Sequence, residues 1–305
     1  MSTSKTYPSK IMLVGEYGVV AGGSALTIPF NRYTAIVKRK EEIIPAKEEQ
    51  AEASQLYLEK IFNYLSGLPE NSFHAGPDMR FFAEKKKEYW LDMNIPSGYG
   101  IGSSGAVSAA IYELFFPGSL ELTLEQQRDD LAVIESFFHG KSSGVDALSC
   151  FVGTPLYFRT DGSIQIVNLD PSKIHGGYRL FLLDSGERFE TAPLVKHFLE
   201  QMKISGFATS IRIEFLVINQ KLIEILLGER DADPALLFRA ISDYQYTHFR
   251  KMIPESMLDT WIEGQISNEY YLKLNGSGGG FMLGITHESS LDSLNNRWKE
   301  KLIWI

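Results

Sequence analysis

The sequence predicts an α+β protein, and three observations carry that expectation. Apolar, β-rich runs occur at 9–15, 25–38 and 79–94 and again as PLYFRT, SIQIVNL and YRLFLLD within 154–184. Segments with apolar residues at helical spacing occur at 47–66, 103–115, 123–138 and over much of 189–265. The two kinds do not alternate as regular strand–helix–strand units, which argues against a doubly wound parallel sheet. At 305 residues and 44% hydrophobic content, the chain can bury a large core or split into two packed lobes.

Taken in order, SKIMLVG at 9–15 reads as a buried strand, with Lys10 opening it and Glu16 following Gly15 at its end. Residues 25–38 and 79–94 read as strands with a polar face. Between them, Leu56, Ile61 and Leu65 lie at helical spacing with aromatics nearby. Thr123 and Glu125 open a second helical stretch before Leu131 and Ile134. DG and HGG turn signals separate the three strand-like stretches of 154–184, and YYLKLNGSGGGFMLGIT reads as two strands joined by a glycine turn. No repeat or Pro-rich linker divides the chain. The expected boundary falls within 155–185 and is taken at 170, giving domains 1–170 and 171–305.

Thirty Lys and Arg against 38 Asp and Glu leave a formal charge of −8, against a nucleic-acid partner, which would need a cationic surface. The single cysteine, Cys150, forms neither an internal disulfide nor a cysteine zinc site, as suits a reducing compartment. MSTSKTYPSK carries no apolar signal-peptide core, and no run of about 18 apolar residues occurs. The expectation is a cytoplasmic protein without a membrane partner, with a homodimer as the candidate assembly.

The most informative segment is IPSGYGIGSSGAVS, 95–108, running into the helical AAIYELFF. Gly98, Gly100, Gly102 and Gly105 allow tight curling and close approach to a ligand. A helix N-terminus beyond such a loop makes an anion cradle, most often for phosphate. Ser103 and Ser104 add hydroxyls able to cap the helix, touch phosphate or ligate Mg²⁺. Gly100-x-Gly102-x-x-Gly105 also fits the dinucleotide fingerprint, but ELFFPGSLELTLE follows where a second strand should end in an acidic residue. A Walker A loop is absent.

A second cluster, LKLNGSGGG at 272–280, reads either as a tight hairpin or as a close backbone approach, including to another glycine loop. In ESFFHGKSSGVDALSC, 135–150, Asp146 sits in a Gly/Ser loop eleven positions after Glu135. On its own such an Asp is commonly a turn or cap residue, and a lone His139 is structural.

Together PSKIMLVGEYGVV, PSGYGIGSSGAVSAA and KLNGSGGGFMLGIT resemble, in order and over most of the chain, the three motifs of the GHMP kinase superfamily. The mevalonate kinase and phosphomevalonate kinase branch fits best, on Pro8-Ser9-Lys10, Gly15-Glu16-Tyr17 and the loop His139-Gly140-Lys141-Ser142-Ser143-Gly144-Val145-Asp146. The resemblance implies a two-lobe α+β fold, with an N-terminal lobe related to ribosomal S5 domain 2, a ferredoxin-like C-terminal lobe, and the active site between them.

It further implies ATP and Mg²⁺ as cofactors and a small-molecule alcohol, mevalonate first, as acceptor. Asp146 would be the base with Lys10 beside it, and Ser104 and Glu135 would hold the metal. Pro96, Gly98, Gly100, Ile101, Gly102, Ser103, Ser104 and Gly105 would bind ATP. Lys10, Glu16, Tyr17, Asp146, Thr191, Gly276, Gly278 and Gly279 would line the acceptor site. Tyr17 stands where mevalonate kinases usually have histidine and Ser142 where they have proline, whereas GEY and GSSG resemble phosphomevalonate kinases. A noncatalytic ligand-binding member of the fold and a nicotinamide oxidoreductase are the rival classes.

Overall fold

The computed structural model describes residues 5–305; Met1–Ser4, on which part of the leader-peptide reading rests, lie outside the described residues. The chain packs as two compact units. The first comprises the described residues up to Lys10, with Pro29–Pro96 and Gly102–Thr154; the second comprises Ile11–Ile28, Ser97–Ile101 and Pro155–Ile305. Where the sequence places one cut at 170, the chain passes between units after residues 10, 28, 96, 101 and 154.

Strand β1 (Thr6–Val14) is buried on both faces from Tyr7 onward, which explains its unbroken apolar run. Lys10 lies in its middle rather than at its opening. Strand β2 (Ala25–Arg39) enters the first unit from Pro29 onward. Helix α1 (Glu48–Ser66) buries Ala51, Ser54, Leu58, Ile61 and Leu65, spaced three and four apart; Leu56, read as part of that stripe, is exposed.

The run 79–94 is not one strand. Asp78 accepts from the Phe81 N–H at 2.9 Å and caps helix α2 (Met79–Lys85), whose Phe82 stacks on Phe115 with ring centroids 3.8 Å apart. Strand β3 (Tyr89–Met93) follows and pairs antiparallel with β2 from Ala35↔Met93 to Arg39↔Tyr89. Helix α3 (Ser103–Phe115) is buried all round from Gly105 to Tyr112, the pattern of a helix through the centre of a core.

Helix α4 (Leu124–His139) starts with a capping box between Thr123 and Gln126. Its Asp130 is fully buried but accepts from the His74 and Ala75 N–H groups and the Tyr112 hydroxyl. Helix α5 (Val145–Val152) opens at Gly144, where φ is 74° and a Cβ would lie 2.3 Å from the Arg128 carbonyl oxygen.

In the second unit, β4 (Leu156–Phe158) pairs antiparallel with Ala25–Thr27 of β2, and β5 (Ile164–Ile166) with β4. The strand order of this sheet is β1-β2-β4-β5, with β3 on β2. After β6 (Tyr178–Asp184) come α6 (Thr191–Gln201), α7 (Ser205–Ser210), α8 (Leu216–Leu226), α9 (Pro234–His248) and α10 (Leu258–Ser267). Then β7 (Tyr270–Leu274) and β8 (Phe281–His287) form the foreseen strand pair, and α11 (Leu291–Trp298) and β9 (Leu302–Trp304) close the chain.

The second sheet has the order β7-β8-β6-β9, every pair antiparallel. Gly284 sits opposite Phe181, where a Cβ would come within 2.1 Å of the ring. Among the helices, Phe198, Phe215, Tyr244 and Phe249 form an aromatic cluster with centroids about 5–6 Å apart. No helix among the described residues is long and apolar enough to cross a membrane.

Candidate active site

The first unit assembles its polar residues around the start of α3. Gly102 has φ 79°, and a Cβ there would meet the Lys10 stem at 3.1 Å and the Cys150 sulfur at 3.3 Å. At Gly105 a Cβ would lie 2.9 Å from the Asp146 carbonyl. Two glycines of the loop are therefore required by sterics, one letting Lys10 pass beneath it and the other letting α3 meet α5 backbone to backbone. Gly102 is the N-cap, and neither Ser103 nor Ser104 caps the helix. The early N–H groups of α3 are left in the state that binds anions.

Lys10 Nζ lies 3.0 Å from Asp146 Oδ1. The lysine is fully buried, whereas the aspartate side chain retains 33% exposure. Asp146 is in the first turn of α5 and not in the preceding loop, a position where the helix dipole favours negative charge.

Beside it, the Ser104 hydroxyl donates to Glu135 Oε1 at 3.1 Å, and the Ser142 hydroxyl to Glu135 Oε2 at 2.5 Å. His139 Nε2 stands 2.9 Å from Ser104 Oγ. Burial, and then the charge of Asp146, pushes the Glu135 carboxyl up to about 7, against the hydroxyl bonds and Lys10, which pull it down. Burial also lowers His139 below the ordinary imidazole value and drives the Cys150 thiol well above its own, so Cys150 is a packing residue.

His139 and Ser142 were not among the expected site residues. The available signal is spacing: Glu135 and His139 are four apart on α4 and share a helix face.

The remaining motif residues gather in the second unit. Glu16 is buried and receives Lys273 Nζ at 2.5 Å, a lysine that also donates to the carbonyl of Leu274. Tyr17 adopts φ 59°, unusual for a non-glycine residue, and its hydroxyl donates to the Ser277 carbonyl at 2.5 Å. Its ring packs on Phe198 and Phe249, and burial raises its hydroxyl above the usual phenol value. Ser277 Oγ donates to Thr191 Oγ1 at 3.1 Å, at the start of α6.

The two glycine loops touch. A Cβ on Gly100 would lie 2.0 Å from the Asn275 carbonyl oxygen, one on Gly276 2.7 Å from Gly100 Cα, and one on Gly280 2.2 Å from Tyr99 Cα. Gly278 packs against the Met252 carbonyl, and Gly279 and Gly98 against the 188–189 segment. Pro96 is half-buried, and Ile101 turns its side chain into the core, so at these positions the loop offers mainly backbone. Sequence reasoning missed Lys273, which sits inside an otherwise apolar strand.

Ser104 and Glu135 are hard oxygen donors of the kind Mg²⁺ takes. Glu135 is a buried carboxylate short of compensating positive charge, so the pair fits that cation. No cluster of three or more His, Cys, Asp or Glu able to hold a metal occurs among the described residues. Magnesium needs none, because phosphate and water complete its shell.

Comparison with known proteins bears on the fold and on the class of relatives. Residues 72–154 match the family described as GHMP kinases N terminal domain. A mevalonate kinase of Thermococcus sibiricus is 28% identical over 181 residues, covering 53% of this chain and 54% of that protein. A phosphomevalonate kinase of Saccharolobus solfataricus is 26% identical over 228 residues, covering 68% and 64%. The matched stretches thus span about half to two thirds of these relatives. The crystal structure of L. major mevalonate kinase in complex with R-mevalonate superposes with a TM-score of 0.63 at 17% identity, over 100% of this chain and 95% of that one.

Fold and family match point to one class: residues 72–154 match the GHMP kinase N-terminal domain, in a chain whose α+β fold is that of the solved mevalonate kinase. The two relatives named here are a mevalonate kinase and a phosphomevalonate kinase.

Proposed function

We propose that the chain transfers a phosphoryl group from ATP to the hydroxyl of a small alcohol, with mevalonate as the acceptor. The observation that carries this reading is the buried Lys10 held 3.0 Å from a partly exposed Asp146, beside the start of α3. An exposed carboxylate next to a buried ammonium is suited to take a hydroxyl proton and to face the negative charge that builds on the oxygen.

In this reading the N–H groups at the start of α3 and the backbone of the preceding loop bind the phosphates. Ser104 and Glu135 hold Mg²⁺, which neutralises phosphate charge when bound. Asp146 takes the proton of the acceptor hydroxyl as that oxygen attacks phosphorus and the bond to the leaving diphosphate breaks. Lys10 steadies charge on both oxygens. Positioning supplies most of the acceleration, as is general for phosphoryl transfer.

The second reading is a phosphomevalonate kinase, favoured by the GEY and GSSG motifs, with the match to the Saccharolobus enzyme beside them. A coupled ADP-release assay with Mg-ATP separates the two when mevalonate, phosphomevalonate, galactose and homoserine are offered singly. Turnover with mevalonate alone is the expected outcome. Turnover with phosphomevalonate alone transfers the assignment to the second reading. Absence of both turnover and ATP binding removes the kinase reading.

A further inference from the structure

Two side chains hydrogen-bond to the Ser104–Glu135 pair, and both lie outside the roles assigned so far. Ser104 has a single hydroxyl hydrogen, and it points at Glu135 Oε1. His139 Nε2, 2.9 Å from Ser104 Oγ, must therefore be the protonated nitrogen and donate to that hydroxyl oxygen. Ser142 approaches from the opposite end and donates to Glu135 Oε2 at 2.5 Å.

The Ser142 main chain is also engaged, its N–H donating to Ser136 Oγ at 3.1 Å, while its hydroxyl accepts from the Gly144 N–H at 2.9 Å. A proline at this position could supply neither the N–H nor the hydroxyl. With these bonds made, Ser104 keeps one lone pair and each Glu135 oxygen keeps one, and their directions are fixed.

We infer that His139 and Ser142 are positioning residues that orient Ser104 and Glu135 toward a divalent cation. The inference rests on the reading that this pair holds the cation. Outer partners of this kind commonly change metal affinity by about 10–100-fold when removed. Ser142 also ties the pair to the segment entering α5, so cation binding and the placement of Asp146 share one loop.

The test is Mn²⁺ binding, read from the free-ion electron paramagnetic resonance signal of the full chain with a non-hydrolysable ATP analogue at saturation. Ser142→Ala and His139→Ala should each weaken Mn²⁺ by about tenfold. Ser142→Thr, which keeps the hydroxyl, and His139→Gln, whose amide N–H reaches the Nε2 position, should restore most of it. Equal Mn²⁺ affinity in Ser142→Ala, His139→Ala and the unaltered chain, with Glu135→Gln weakened, overturns the inference and leaves the metal reading standing. Equal affinity in Glu135→Gln as well overturns both.

Discussion

Two lysine–carboxylate pairs serve opposite ends in the two units. Lys10 and Asp146 are 3.0 Å apart with the carboxylate 33% exposed; Lys273 and Glu16 are 2.5 Å apart with both side chains at most 2% exposed. Both pairs set an ammonium against a carboxylate within the recognised motifs, but solvent access differs. A carboxylate that keeps an open face can exchange a proton with a ligand. One whose whole surface is enclosed can only organise the chain around it, and the cost of leaving either partner alone there is severe. The comparison teaches that a charged residue in a recognised motif is not thereby in contact with substrate. Glu16, expected to line the acceptor site, is enclosed by its own unit's strand β7 through Lys273.

Four outcomes would break or sharpen that contrast. The largest effect is kinetic: Asp146→Asn should lower kcat by about 10²–10⁴-fold while ATP-analogue affinity holds, measured by steady-state assay and calorimetry. Near-full turnover would end its assignment as base.

Next is Lys273→Met, which leaves Glu16 buried without its ammonium and should cost about 3–5 kcal/mol. Denaturant unfolding reads this, and Glu16→Gln added to Lys273→Met should recover part of it. If the single variant is as stable as the parent, the pair is not structural.

Third is the pH dependence of stability through Glu135. Its folded value near 7 stands above the ordinary 4.5, so its contribution is fully present below about pH 4.5 and is lost as the pH rises through about 7. Glu135→Gln has no such loss. Its melting temperature relative to the parent should therefore climb by a few degrees between pH 4.5 and about pH 8 in metal-free buffer. A flat difference would contradict the stated cause.

The smallest effect belongs to Tyr17→Phe. It keeps the ring packing and loses one hydrogen bond to the Ser277 carbonyl, worth about 1 kcal/mol by chemical denaturation. A loss several times larger would mean that the hydroxyl, not the ring, organises the glycine turn.

Much of this was legible in the sequence because it follows from local pattern. The helix start at Thr123, the Ile61 and Leu65 positions of the α1 stripe and the glycine turn between β7 and β8 each reflect short-range rules of spacing and backbone freedom. The surplus glycines were legible as a close approach, and the structure supplies the partner: Gly276 against Gly100. Helix α2 was misread as a strand because Phe81 and Phe82 favour β structure, whereas the Asp78 cap and the stacking of Phe82 on Phe115 decide the outcome.

Tertiary pairing was the illegible part. Lys273 looks like an interruption of an apolar strand until Glu16, 257 positions earlier, is beside it. His139 reads as a lone histidine until Ser104, 35 positions earlier, comes within hydrogen-bonding distance.

The repeated passage of the chain between units governs the order in which the protein can be made. Asp146, the partner of Lys10, leaves the ribosome 136 positions after it, in the last helix of the first unit. During that interval the buried ammonium has no place to go, and β1 has no completed core to enter. The Lys10–Asp146 pair therefore closes only when the first unit is nearly finished. For the same reason a shortened chain ending before α5 would contain the glycine loop before α3, strand β1 and the whole of helix α3, yet would lack the segment that holds them in register.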